Sequence, residues 1–182
     1  MSELPVPVRV DPLTGAWSVD GQPMLLVPRH YWVFIQQAME DRLGLDAARE
    51  LIWEPGYRAA QVWCEREAKT HGLSGVEVFR HYMKRMSERG YGQLTIRTID
   101  PDSGSAEIRF DHSVYVAEYG QVGRPVCYRC EGPIAGGMEY VARAAGRTLR
   151  LAVEEVRCVS AGNEYCLFEA RPADGAASGA KP

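Results

Sequence analysis

Val126-Cys-Tyr-Arg-Cys130-Glu-Gly132-Pro-Ile-Ala-Gly136 and, further on, Glu154-Glu-Val-Arg-Cys158-Val-Ser-Ala-Gly162-Asn-Glu-Tyr-Cys166 hold four of the five cysteines of this 182-residue chain. A thiolate is a soft, strong ligand for zinc, and a tetrahedral structural site takes four ligands, usually paired on tight turns. Cys127 and Cys130 have the two-residue spacing of such a turn. Cys158 and Cys166 flank Ser160-Ala-Gly162-Asn163, turn residues able to bring two strands together. The spacing points to a metal site of four cysteines, or of three cysteines and one glutamate. The plain alternative is buried, reduced cysteines packing as small apolar side chains.

Upstream of Cys158, Leu149, Leu151 and Val153 alternate as along a strand, and Glu155 keeps their parity. An inward carboxylate without a partner is neutralised or destabilising, and a bound cation resolves this, which favours Glu155 over Glu154 as a ligand. The spacing predicts a helix over about Ala135 to Ala144 and a last strand from Tyr165 to Ala170. Before them, Leu94 and Ile96, then Ile108 and Phe110, alternate with polar residues around the turn Asp100-Pro-Asp-Ser-Gly104, an antiparallel hairpin. His112 continues that parity and is expected to point inward.

The first half reads as helices. Arg29 to Leu43 carries a stripe of Tyr31, Phe34, Ile35, Ala38 and Met39. Asp46 can cap a second helix, which Pro55-Gly56 interrupts. A third helix is expected from Tyr57 to His71, with Ala60, Trp63, Cys64 and Glu67 on one side. A fourth, with Ser74 and Glu77 as a capping box, ends at Gly90. Residues 1–28 form an extended arm with strand-like runs at Val6 to Val10 and Met24 to Val27. The expected fold is α+β: an antiparallel sheet packed against several helices, with a metal-stapled C-terminal β-rich region. One domain spans residues 29–170, and the Gly/Ala/Ser/Pro-rich stretch 171–182 is a disordered tail.

The two cysteine stretches, with the order Gly56-Tyr57, helix, Gly72-Leu73-Ser74, helix, Gly90-Tyr91-Gly92, resemble the 4-vinyl reductase domain family from about Gly56 to Ala170. That family includes the sensor domains of phenol-responsive bacterial transcription activators. The residues before Gly56 look more like standalone bacterial members. The resemblance implies a zinc ion held by three cysteines and one glutamate, falling here on Cys127, Glu155, Cys158 and Cys166. Cys130 has no counterpart in that set and stands as an alternative ligand to Glu155. The resemblance also implies a histidine and a tryptophan holding a phenol hydroxyl. His112, Tyr115 and Trp63 are the candidate pocket residues, and because the N-terminal region of the phenol sensors helps make a dimer, the resemblance also implies a homodimer through the arm.

A net charge of −3 and the lack of a basic run argue against a nucleic-acid surface. No apolar run is long enough to span a bilayer, and no export signal is present. An odd number of cysteines then fits the reducing cytoplasm, where metal ligation outranks disulfides. No phosphate loop, nucleophile elbow or H-E-x-x-H pair is found, and no catalytic residue is assigned. The expected function is a sensor-type, non-catalytic domain with a structural zinc, binding a small apolar or aromatic molecule and signalling through a partner protein or dimerisation. The alternative, which the resemblance to standalone members implies, is an enzyme or accessory protein of a catabolic pathway such as methylated-amine (dimethylglycine-type) breakdown.

Overall fold

The computed structural model describes residues 6–173, so the stretch 174–182 of the expected disordered tail lies outside the described residues. The arm holds three short antiparallel strands in the order β1 (Val8–Val10), β2 (Trp17–Val19) and β3 (Gln22–Met24). The middle strand was not expected, because three residues are too few to show a period. Leu25 and Leu26 continue the apolar run but pair with nothing in a sheet and stand 82% and 75% exposed.

Helix α1 (Arg29–Leu43) lies where expected, but its stripe is rotated. Tyr31 and Phe34 are exposed, while Val33 and Gln36 are buried. Helix α2 (Leu45–His71) is continuous through Pro55 and corrects the reading of two helices. Proline withholds only the bond to the Leu51 carbonyl. Both Pro55 and Leu51 lie on the exposed side, where water can serve that oxygen. The helix buries Ile52, Ala60, Trp63, Cys64 and Glu67 along its inner side. Helix α3 (Val76–Glu88) buries Phe79, Tyr82, Met83 and Met86, as its apolar spacing requires. The capping box does not form, because Gly75, at φ +57°, occupies the cap position that Ser74 would need.

Strands β4 (Gln93–Asp100) and β5 (Ser105–Asp111) form the expected hairpin, with Leu94 opposite Phe110 and Ile96 opposite Ile108. Helix α4 (Val114–Tyr119) follows, capped by Ser113 Oγ, which accepts from the Tyr115 and Val116 N–H groups. A short 3-10 turn, Tyr128–Cys130, runs straight into α5 (Glu131–Ala144), which starts four residues before its expected position. Pro133 fits there because the first turn of a helix has no N–H partners to lose. Strands β6 (Leu151–Arg157) and β7 (Cys166–Pro172) complete a four-stranded antiparallel sheet in the order β4-β5-β7-β6. Strand β7 runs two residues into the stretch read as tail.

The architecture is thus α+β. Helices α3 and α5 cover one face of the sheet, and α2 packs on α5. Phe79, Ile108, Phe110, Ile134 and Phe168 are fully buried in the core. The α2–α5 crossing is unusually close. A Cβ on Gly132 would stand 2.2 Å from the Trp53 carbonyl oxygen, and one on Gly136 would stand 2.4 Å from that of Tyr57. Only glycine permits backbone to approach backbone in this way. Among the described residues, no helix is long and apolar enough to cross a membrane.

Candidate metal centre and adjoining cavity

The turn before α5, the end of β6 and the start of β7 meet at one point. One ligand atom each from Cys127, Glu155, Cys158 and Cys166 lies within 4.8 Å of the others, and all four residues are buried. Cys127 Sγ is 3.8 Å from Cys166 Sγ, and Cys166 Sγ is 3.8 Å from Cys158 Sγ. These are not disulfide distances, which are near 2 Å, and all five cysteines are free. Thiolates about 2.3 Å from a common tetrahedral zinc stand about 3.8 Å apart, so the sulfurs are already at metal spacing.

The surrounding backbone holds the four donors in place. The Cys127 N–H donates to Glu155 Oε2 at 2.7 Å, while Glu155 Oε1 is buried with no hydrogen-bond partner. Asn163 Oδ1 accepts from the Cys158 N–H at 2.9 Å and closes the turn between β6 and β7. Ser113 Oγ lies 3.1 Å from Cys127 Sγ. Gln36, fully buried on α1, donates to the Val126 carbonyl at 2.9 Å and fixes the approach to Cys127. Glu131 Oε1 accepts from the Glu155 N–H at 3.1 Å and holds Arg49 at 2.8 Å.

Without a cation these donors cannot all be charged. Burial, with the neighbouring Cys158 charge, pushes Glu155 up to about 9. Burial likewise raises the Cys127 thiol well above its ordinary value. Cys158 is held far down by hydrogen bonds from Cys127 and Cys166. At Cys166 the hydrogen bond with Cys127 pulls down, but that with Cys158 together with burial outweighs it, and the thiol reaches about 12. A dication would let all four donors ionise together, and the orphaned Glu155 Oε1 fits the same group. Cys127, Glu155, Cys158 and Cys166 would hold the metal. Cys130 is not among the converging donors.

Cys130 instead faces a cavity of about 450 Å³ between α1, α2, α3 and α4. Ile35, Met39, Ile52, Met86 and Pro133 make its wall apolar, and Trp32, Trp63, Tyr82, Tyr91 and Tyr115 line it with aromatic rings. The fully buried Tyr115 OH, Trp63 Nε1 and Arg129 Nη1 have no hydrogen-bond partner. Burial raises the Tyr115 hydroxyl and the Cys130 thiol well above their ordinary values, as a dry, apolar wall requires. Arg89 stacks over Trp63 at 4.1 Å and Arg129 over Trp32 at 4.7 Å. The size, the apolar lining and the few unpartnered polar groups match those of small-molecule sites.

Of the candidate pocket residues, Trp63 and Tyr115 share this cavity. His112 does not: it follows β5 at φ +55°, is not buried, and borders a separate cleft with Arg29, Asp111 and Ser113. The expected inward parity fails because the strand stops at Asp111, so alternation no longer applies one residue later. Sequence reasoning missed Arg129 and Cys130 as cavity residues. The signal was present, since the two-residue spacer after Cys127 must carry the chain from the cysteine cluster to the helix.

Residues 2–97 match the model of a domain of unknown function (DUF5943), and residues 106–172 match that of the 4-vinyl reductase domain. The chain is 24% identical over 162 residues to the phenol regulator MopR of Acinetobacter guillouiae, covering 84% of this chain but 28% of that protein's length. Its fold is similar to the phenol-responsive sensory domain of the transcription activator PoxR, determined with phenol. That match has a TM-score of 0.74 at 20% identity and covers 91% of this chain and 84% of the other. A vinyl-4-reductase family protein from Methanocaldococcus jannaschii matches at a TM-score of 0.54 and 18% identity, over 83% of this chain and 85% of that one.

Proposed function

We propose that this chain, which belongs to the DUF5943 family and carries a 4-vinyl reductase domain, is a sensor-type domain that binds a small aromatic or apolar molecule without transforming it. The observation that carries the proposal is the cavity, whose apolar wall holds three unpartnered polar groups, Tyr115 OH, Trp63 Nε1 and Arg129 Nη1. Buried polar atoms without partners are costly, and a ligand with one hydroxyl or carbonyl relieves that cost while its body fills the apolar space. The likeness to phenol-responsive sensory domains supports a phenolic ligand class.

The role of the metal is structural. Three cysteines and a glutamate fill a tetrahedral set, leaving no position for a catalytic water. Zinc, the ion that best suits such a set, would supply folding free energy and pin the Cys127–Cys130 turn. Arg129 and Cys130 on that turn are cavity wall, so the metal sets the shape of the binding site from outside it.

Intrinsic tryptophan fluorescence tests the reading, because Trp32 and Trp63 both border the cavity. Phenol should change the signal saturably at one site per chain and be recovered unchanged. Benzene, lacking the hydroxyl, should bind about 5–30-fold more weakly, the worth of one or two buried hydrogen bonds. Turnover of phenol, or equal affinity for the two, would overturn the proposal.

A further inference from the structure

A second group of metal-ligating side chains lies apart from the cysteine centre. Asp20 opens the turn between β2 and β3, Glu67 and His71 lie one turn apart near the end of α2, and His81 faces them from α3. One donor atom from each lies within 4.8 Å of the others. His81 Nε2 is 2.7 Å from Glu67 Oε2, and His71 Nε2 is 3.4 Å from that oxygen and 3.7 Å from Asp20 Oδ2. Nitrogen and oxygen ligands about 2.1 Å from a tetrahedral centre stand about 3.4 Å apart. Two of the three separations are therefore near metal spacing, and His81 must withdraw by about 0.7 Å to complete the set.

The two carboxylates are arranged for a cation. The Glu67 side chain is 1% exposed, and Gln22 Nε2 donates to its Oε1 at 2.9 Å, leaving Oε2 for the histidines. The Asp20 side chain is 6% exposed, and its Oδ2 accepts no hydrogen bond. Arg85 Nη2 lies 2.8 Å from that oxygen but outside hydrogen-bonding geometry, and Arg85 Nη1 is 2.8 Å from Glu88. One guanidinium thus serves two carboxylates while a third, Glu67, depends on the histidines. Asp20 is held here at φ +50°, a conformation that a non-glycine residue seldom adopts.

We propose that Asp20, Glu67, His71 and His81 form a second metal site, for a divalent transition ion of the imidazole-and-carboxylate class such as zinc, which clasps the N-terminal sheet onto α2 and α3. The ion takes the place of the Arg85 charge at Asp20, and Arg85 remains with Glu88. The clasp sits one helical turn beyond Trp63, and Gln22 also reaches the Trp63 carbonyl at 3.4 Å, so the N-terminal sheet and the cavity share a support.

The test is a count of bound zinc by native mass spectrometry after zinc is returned to the chelator-treated full chain. Wild type should bind two ions. The His71→Gln/His81→Gln double variant should bind one, and the single variants should weaken the second step by more than the roughly 10–100-fold that loss of an outer-shell partner costs. That double variant keeps the cysteine centre intact, so the test does not depend on the folding of a cysteine variant. In wild type, zinc should also slow proteolysis of the arm at exposed Leu25 and Leu26, and this protection should vanish in the double variant. Equal ion counts in wild type and the double variant would overturn the proposal.

Discussion

Replacing Gly136 by alanine separates two physical effects that have opposite signs. In a helix interior, glycine to alanine should stabilise by about 0.5–1 kcal/mol, because alanine loses less backbone freedom on folding. Here the added Cβ would stand 2.4 Å from the Tyr57 carbonyl oxygen and 3.0 Å from Ala60 Cβ. Real Cβ contacts are essentially never under 3.0 Å, and the obstacle is backbone, so α2 and α5 must part by at least about 0.6 Å. Overpacking of this kind costs about 1–3 kcal/mol or more, which outweighs the propensity gain. The net expectation for Gly136→Ala is a loss of about 1–2 kcal/mol, or roughly 2–8 °C in Tm for a domain of this size. Gly132→Ala, aimed at the Trp53 oxygen from 2.2 Å, should cost more. Gly137→Ala meets the Phe79 and Tyr82 rings at 2.9 and 3.1 Å and should cost less, because rings can tilt. Urea unfolding followed by far-UV circular dichroism gives the ranking. A Gly136→Ala protein as stable as wild type would refute the close crossing of α2 and α5.

Cys158→Ser should lose the metal and several kcal/mol of stability, whereas Cys64→Ser should cost far less; equal, small losses would count against the centre. Cys64 should not react with thiol reagents at pH 8 until the chain unfolds, because burial, with Glu67 nearby, pushes its thiol up to about 12. Gln36→Ala should cost about 1–3 kcal/mol by leaving the buried Val126 carbonyl unpaired, a loss visible in the urea midpoint. Tyr115→Phe should leave the unliganded protein as stable as wild type or more so, since the hydroxyl it removes has no partner, yet it should weaken phenol binding in a fluorescence titration.

The cysteine centre was the more legible part of the molecule. Parity along β6 distinguishes Glu155 from Glu154, and the structure buries the former and exposes the latter. The β4–β5 hairpin and the two C-terminal strands followed from alternation and turn chemistry, but their joining into one sheet did not, because β5 pairs with the distant β7. Pro55 misled because a proline on the exposed side of a long helix costs one hydrogen bond, a loss that the packing of α2 against α5 exceeds. The stripe on α1 misled for a related reason: Gln36, a polar residue, is the buried one because Val126 needs its amide, and Phe34 is left outside. The cavity was only half legible. It is assembled from four helices and the Cys127–Cys130 turn, so no single stretch of sequence shows that Trp63, Tyr115 and Arg129 line one cavity. His112 was misplaced because one residue beyond the end of a strand, alternation carries no information.

The most direct test of the central claim is a calorimetric titration of phenol into metal-loaded wild type, the Trp63→Phe/Tyr115→Phe double variant and His112→Ala. The cavity predicts one site per chain in wild type, binding weakened about 10-fold or more in the double variant, and no change in His112→Ala. A wild-type protein that shows no saturable heat, or a loss confined to His112→Ala, would contradict it.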